Sequence, residues 1–312
     1  MTGRRHFLKT LAVGTAGLAV CPWGSGRVLA GGRPEPLALT RLSDDLVIIT
    51  GAGGNVAALS APEGVLLVDC GSSERAHDLL KALAALPGGR HVHTVFNTHW
   101  HWDHTGGNEL VRQAGAKIIA HENTRLWLGT PIFVEWQNRS YAPRPAQAWP
   151  TQTFYTSGSL SFGGESIEYG YLPQAHTDGD IYVYFRKQNV LLAGCVLAVP
   201  GSYPILDYST GGWIGGMADA TQKLLSITDD KTRIVPGVGP VQTRADLAAE
   251  HEMLTTLKED LWQLMRKGYG ADDMIAADPT HKFDARWGKP DQFIASVYRG
   301  LYAHVRELRG VV

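Results

Sequence analysis

Three imidazoles and a carboxylate fall within six consecutive positions of Asn97-Thr98-His99-Trp100-His101-Trp102-Asp103-His104-Thr105-Gly106-Gly107. Two imidazoles two residues apart form a pincer for a borderline-soft ion such as Zn²⁺, and a third ligand from elsewhere would leave one coordination position for water. The stretch follows the apolar run 92–96, which reads as a buried strand. In extended backbone alternate side chains share a side, so His99, His101 and Asp103 are expected to project together while His104 reaches an adjacent point. Gly106 and Gly107 let the chain turn sharply into a helix. Histidine makes up 12 of 312 residues. Three His and one Asp at fixed offsets would therefore arise by chance in roughly one chain in a thousand, which favours a metal centre.

Strands and helices must hold that cluster in place. Residues 37–42, 46–50, 55–60 and 65–69 read as short strands, separated by turn signals at Ser43-Asp44-Asp45, residues 51–54 and Pro62-Glu63-Gly64. Ser72 or Ser73 is expected to cap a helix with Leu79, Leu80, Leu83 and Leu86 on one face, ended by Pro87-Gly88-Gly89. Helices are expected over 107–114 and 122–128, around a strand at 117–120. Residues 129–150, rich in Pro and in aromatics such as Trp136, Tyr141 and Trp149, are too long for an ordinary connection and form a candidate lid. A second strand-rich half covers 153–156, 159–162, 166–171, 181–185 and 190–193. Helices follow, one with Leu247, Leu254, Leu257, Leu261 and Leu264 on a stripe, another with Phe293, Val297, Leu301 and Val305 at i, i+4 spacing. Strand runs followed by helices, twice over, suggest an α+β chain with two sheets face to face and helices outside.

Composition narrows the partners. Apolar residues are 44% and charged residues 19%, which excludes a disordered or collagen-like chain. The net charge is −1; a chain starting at Gly31, without Arg4, Arg5, Lys9 and Arg27, would hold 25 basic against 30 acidic residues, a net −5. A nucleic acid or an anionic membrane is therefore not an expected partner. The longest apolar run, residues 11–20, is too short to span a bilayer. Arg4-Arg5 before Phe7-Leu8-Lys9, the apolar run, and Val28-Leu29-Ala30 resemble a twin-arginine export signal, cleaved near Ala30. The expected product is soluble and periplasmic, delivered by the twin-arginine machinery, with domains at 1–30 (signal), 31–265 (catalytic) and 266–312 (helical extension). Cleavage leaves Cys70 and Cys195, too few for a disulfide framework, although a single bridge between them stays open. Gly51-Ala52-Gly53-Gly54 begins like a dinucleotide loop, but the third glycine is missing and Val56-Ala57-Ala58-Leu59 continues as strand.

His99-Trp100-His101-Trp102-Asp103-His104 is similar to the His-x-His-x-Asp-His signature of the metallo-β-lactamase superfamily, and Val68-Asp69-Cys70-Gly71 resembles that family's upstream Asp-containing loop. The resemblance covers about residues 40 to 245. It implies a four-layer αββα sandwich, here with a C-terminal helical extension, and a site at one edge between the sheets. It also implies that His99, His101 and His176 hold a first metal and that Asp103 and His104 hold a second. Cys195 stands where most of the family has a bridging Asp and some β-lactamases have a zinc-binding Cys. Val238, in Pro236-Gly237-Val238-Gly239-Pro240, stands where the family places a His, and valine cannot ligate. The second site is therefore expected to be altered or empty and one metal to suffice, unless the Cys195 thiolate compensates.

The implied activity is that of a zinc-dependent hydrolase acting on a small molecule through an ester, thioester, lactone or β-lactam carbonyl. Zinc would lower the pKa of its water from about 15.7 to near 7. Asp103 would orient the resulting hydroxide or shuttle its proton. Asp69 would buttress the histidine loop or simply form a strand-end turn. Tyr203 and Asp207 either line the cleft after Cys195 or, as the more ordinary reading, are plain loop residues, and Trp136, Tyr141 and Trp149 either close over an apolar substrate or anchor their loop. Two other classes stay open: a mononuclear iron redox enzyme acting on sulfur compounds, and a catalytically decayed metal-binding protein, for which Val238 argues.

Overall fold

A computed structural model describes residues 36–304; the segment read as an export signal and Val305 of the last stripe lie outside the described residues. An antiparallel meander comes first: β1 (Ala38–Arg41), β2 (Leu46–Thr50), β3 (Val56–Ala61) and β4 (Gly64–Val68). Helix α1 (Ala76–Leu83) then crosses to β5 (Val92–Phe96), which lies parallel to β4. A single turn α2 (Trp102–Thr105) and α3 (Asn108–Gln113) lead to β6 (Lys117–His121), followed by α4 (Glu122–Leu128) and the hairpin β7 (Ile132–Val134) and β8 (Arg139–Tyr141). Strand β9 (Gln152–Phe154) completes the seven-stranded first sheet beside β6.

The second sheet has five strands: β10 (Ser157–Phe162), β11 (Glu165–Tyr171), β12 (Ile181–Phe185), β13 (Val190–Gly194) and β14 (Arg233–Pro236), the last reached through α5 (Ile214–Ile227). Helices α6 (Arg244–Arg266), α7 (Ala271–Ala276), α8 (His281–Trp287) and α9 (Asp291–Ala303) complete the described chain. Among the described residues, no helix is long and apolar enough to cross a membrane.

Alternation with period two makes the layers. Leu46, Ile48, Leu66 and Val68 point into the core between the sheets, where they meet Ile181, Val183 and Phe185 of β12. Their neighbours Val47, Ile49, Val65 and Leu67 point the other way, onto Leu79 and Leu83 of α1. On the far side, Tyr182, Tyr184 and Leu191 pack on Met217 and Leu224 of α5, Leu254 and Leu257 of α6, and Phe293 and Val297 of α9. Strands β4 and β12 are thus buried on both faces, and a fully buried Val, Leu or Ile contributes about 1.5–3 kcal/mol. The result is the four-layer αββα sandwich with a C-terminal helical region.

Several elements differ from the sequence reading. Residues 152–154 pair with the first sheet, not the second. Ser72 makes no side-chain cap; a 3-10 turn (Ser73–Arg75) precedes α1, which stops before Leu86. The stretch 129–150 is not an open lid but a hairpin whose Tyr141 packs with Trp100, Leu128, Ile132 and Val134, with Trp136 and Trp149 against them. Helix α5 was hidden by its opening Ile214-Gly215-Gly216. A Cβ at Gly216 would lie 1.9 Å from the Gln174 carbonyl oxygen, so packing demands a residue of poor helix propensity there.

Helix α6 carries Glu250, fully buried, with both carboxylate oxygens facing the Ala198 N–H at 3.2 and 3.0 Å. Burial pushes this carboxyl up from the usual 4.5 to about 8, against the pull of that N–H and of Arg286. Between these values the folded chain holds a proton that the unfolded chain has released. The stabilisation is therefore complete below about pH 4.5 and is lost as pH rises to about 8, at no more than about 1.36 kcal/mol per pH unit. Glu250→Gln removes the titration, so its Tm is expected to fall less than the parent's between about pH 5 and about pH 8.5. Parallel melting curves would show that Glu250 ionises without cost.

Candidate metal centre

Strand ends deliver the site. Strand β4 hands the chain to Asp69, which sits in left-handed backbone at φ 61, and β5 is followed by Asn97, Thr98 and His99. The Thr98 carbonyl accepts from the N–H of Ile181, the first residue of β12, at 2.9 Å, which ties the two sheets together at this edge. Extended alternation does not bring the ligands together as expected. The strand ends at Phe96, and α2 forms directly after His101, whose carbonyl accepts from the N–H groups of His104 and Thr105 at 3.0 and 2.9 Å. A bend followed by a helical turn makes the rings converge.

His176 arrives on the β11–β12 connection, its carbonyl accepting from Asp207 N–H at 2.9 Å. Cys195 follows β13, where a register shift between Leu192 and Gly194 re-aims the chain.

The rings of His99, His101 and His176 lie 4.7 to 4.9 Å apart, centre to centre. Their hydrogen bonds fix the tautomers. His101 donates from Nε2 to Asp207 Oδ2 at 2.9 Å, and His176 from Nδ1 to the Ile205 carbonyl at 2.7 Å. The Thr98 hydroxyl donates to Asp69 Oδ2 at 2.8 Å, so its oxygen accepts from His99 Nδ1 at 3.0 Å. In the neutral form that a metal takes, the inward nitrogens are consequently the lone pairs.

His101 Nδ1 and His176 Nε2 face each other at 3.1 Å, and His99 Nε2 is buried and makes no hydrogen bond. Opposed lone pairs repel unless a cation lies between them. Two nitrogens on a tetrahedral zinc, with bonds of about 2.0–2.1 Å, stand about 3.3–3.4 Å apart, close to the spacing found here. Burial, reinforced by repulsion from His104, His101 and His176, holds the His99 imidazole well below its usual range. Burial and then His101 act in the same direction on His176. Burial works to raise Asp207, but the hydrogen bonds it accepts from His101 and Thr210 outweigh it and hold this carboxylate below its usual range. The set fits a cation that takes neutral imidazoles.

A second group adjoins the first. His104 donates from Nδ1 to Asp69 Oδ2 at 2.8 Å, and its Nε2 faces Asp103 Oδ2 and Cys195 Sγ, each at 3.5 Å. Asp103 Oδ1 is buried and makes no hydrogen bond. The ligand atoms of Cys195, His99 and His176 all lie within 4.8 Å of one another, so the thiol borders both groups. Asp69 serves both readings made of it: it turns the chain at the strand end, and it accepts from Thr98 N–H at 2.7 Å as well as from Thr98 and His104 side chains. A Cβ at Gly54 would come within 2.3 Å of the His104 ring, so the 51–54 turn is what admits that imidazole.

All seven residues singled out in the sequence (Asp69, His99, His101, Asp103, His104, His176 and Cys195) thus meet at one edge of the sandwich. Asp207 was misjudged as a plain loop residue; it is fully buried and orients His101 from 106 positions away. Thr98 and the Ile205 carbonyl were also missed, and nothing local in the sequence marks them. Cys70 and Cys195 do not form a disulfide. Cys70 is buried, which raises its thiol, and donates to Asn108 Oδ1 at 3.0 Å. A cleft of about 430 Å³, part of it open to solvent, leads to His176 and Cys195.

Comparison with known proteins agrees with this geometry. The model of the metallo-beta-lactamase superfamily matches residues 49–238. Metallo-beta-lactamase IND-1 of Chryseobacterium indologenes is 28% identical over 160 residues, 51% of this chain and 59% of that protein. The 2,4-dinitroanisole O-demethylase subunit alpha of Nocardioides sp. (strain JS1661) is 26% identical over 218 residues, 69% of this chain and 62% of that one. The chain thus spans about three fifths of the length of each of these relatives. The solved structure of a metallo-beta-lactamase from Pontibacter korlensis superposes with a TM-score of 0.56 at 24% identity, covering 70% of this chain and 99% of that one.

Proposed function

Because this chain belongs to the metallo-β-lactamase superfamily, we propose that it is a zinc-dependent hydrolase whose first metal is held by His99, His101 and His176. One observation carries the reading: three buried imidazoles pack ring against ring, 4.7 to 4.9 Å apart, while other groups accept from their outer nitrogens. A divalent metal held there would acidify a water and polarise a carbonyl, making hydrolysis feasible near neutral pH.

The protein's own groups do the rest. Asp207, Thr98 and the Ile205 carbonyl hold the imidazoles in the ligating tautomer. Asp103, with one buried oxygen free of hydrogen bonds, accepts a hydrogen bond from the attacking water and takes its proton. The bond broken is an ester, thioester, lactone or β-lactam; the name of one relative, an O-demethylase subunit alpha, supports keeping bonds other than amides in that range. Residues 1–30 we read as a twin-arginine export signal, which would place the mature chain in the periplasm, and residues 31–265 and 266–312 as catalytic domain and helical extension.

Metal analysis of protein purified without added metal, followed by a substrate panel before and after chelation, tests the reading. About one zinc per chain with chelator-sensitive hydrolysis is expected. Iron with oxygen uptake, or metal without any turnover, would overturn it.

Asp103, His104 and Cys195 form the second donor set, and we propose that it binds metal more weakly because Val238, beside Cys195 on the cleft wall, adds no ligand. Val238→His is expected to raise the metal content from about one toward two per chain, since a fourth donor completes a tetrahedral set. An unchanged metal content by elemental analysis would show that this side chain is not what limits the second site.

A further inference from the structure

We infer that the cleft selects an acyl group that is neutral and apolar, and that it discriminates against substrates carrying an anion at the end of that group away from the metal. The inference rests on the hydrolase reading and deepens it. Beyond His176 and Cys195, the wall is made by Leu197, Val199, Pro204, Ile205 and Val238. No Lys, Arg, Asp or Glu lines it among the described residues. Two hydroxyls remain. Tyr203 donates its own to Asp284 Oδ1 at 2.8 Å, and Ser202 Oγ donates to the Tyr203 carbonyl at 3.2 Å, so both already have acceptors. Arg286, the cation nearest this wall along α8, pairs with Asp246 at 2.7 Å and lies over the Trp287 ring.

The wall is also preformed. The Tyr203 ring stacks on Phe293 of α9 with centroids 4.9 Å apart. Gly201 N–H donates to the Arg286 carbonyl at 2.7 Å, and Ser202 N–H to the Val199 carbonyl at 3.2 Å. The C-terminal helices, which lie beyond the residues matched by the family model, therefore hold the wall from behind. A wall fixed in this way cannot fold a distant cation inward to meet an anion. An anion at the far end of the acyl group would lose its water without gaining a counter-charge, whereas each buried methylene of a neutral chain strengthens binding about fourfold.

A matched pair tests the inference on the metal-loaded full chain: p-nitrophenyl hexanoate and the same ester ending in a sulfonate, a poor metal ligand. The neutral ester is expected to show a kcat/KM at least about tenfold higher, and Ser202→Lys to narrow that ratio at least about tenfold by supplying the missing cation. Equal rates, or preference for the sulfonate, would overturn it, and the parent comparison decides even if the variant fails to fold. Should neither ester be hydrolysed, the hydrolase reading fails, and calorimetric titration with the two corresponding amides still decides the inference. Tighter binding of the neutral amide upholds it; equal or tighter binding of the sulfonate overturns it.

Discussion

His101→Ala is expected to strip the chain of its tightly bound metal and to lower hydrolysis by at least about a thousandfold, because metal polarisation is worth several kcal/mol and each 1.4 kcal/mol is about a factor of ten. The imidazole is one of three packed ring against ring, and Asp207, behind it, touches only the far nitrogen and cannot take its place. The substitution also takes the ring N–H from buried Asp207, which keeps only the Thr210 hydroxyl and the Ser209 N–H, a loss of about 1–3 kcal/mol in stability. Asp207→Asn separates the two effects. It keeps the shape of the carboxylate but weakens its grip on the imidazole, so metal affinity should fall by about 10–100-fold while the fold survives. Chelator competition and thermal melting measure both. Full metal retention in His101→Ala would remove this residue from the ligand set.

Asp69→Asn should have the second-largest effect. The carboxylate accepts three hydrogen bonds, from Thr98 N–H, the Thr98 hydroxyl and His104 Nδ1. Asparagine tolerates the left-handed backbone there, so the turn is preserved and only the chemistry changes. Its NH₂ group must face at least one of these donors, leaving a buried polar group without an acceptor, at about 1–3 kcal/mol. The link from Asp69 through Thr98 to His99 loosens at the same time, so metal affinity should drop by about 10–100-fold. Asp69→Ala, which adds backbone strain, should be worse. A variant indistinguishable from the parent in Tm and in chelator competition would reduce Asp69 to a turn former.

What the sequence disclosed follows from the range of each signal. His99, His101, Asp103 and His104 fall within six positions, so one short segment reveals their chemistry before any fold is known. His176 and Cys195 carry no local mark of their own; only the family resemblance picked them out. Asp207 and the Ile205 carbonyl were beyond reach, because their roles exist only once the 205–213 segment is laid against the β11–β12 connection. Strands β2, β4 and β12 were readable because they are short apolar runs bounded by turn signals. Helix α5 was not, because Gly215 and Gly216 are there to clear Trp213 and Gln174, a tertiary demand that overrides helix propensity. Residues 129–150 were read as a lid for want of periodicity, but their aromatics are consumed in anchoring a hairpin.

Diffraction at the zinc absorption edge from a crystal of the protein purified without added metal addresses the centre most directly. The expected result is an anomalous peak about 2.0–2.1 Å from each of His99 Nε2, His101 Nδ1 and His176 Nε2. A map with no peak among these three nitrogens, or one whose strongest peak lies at other residues, would contradict the account.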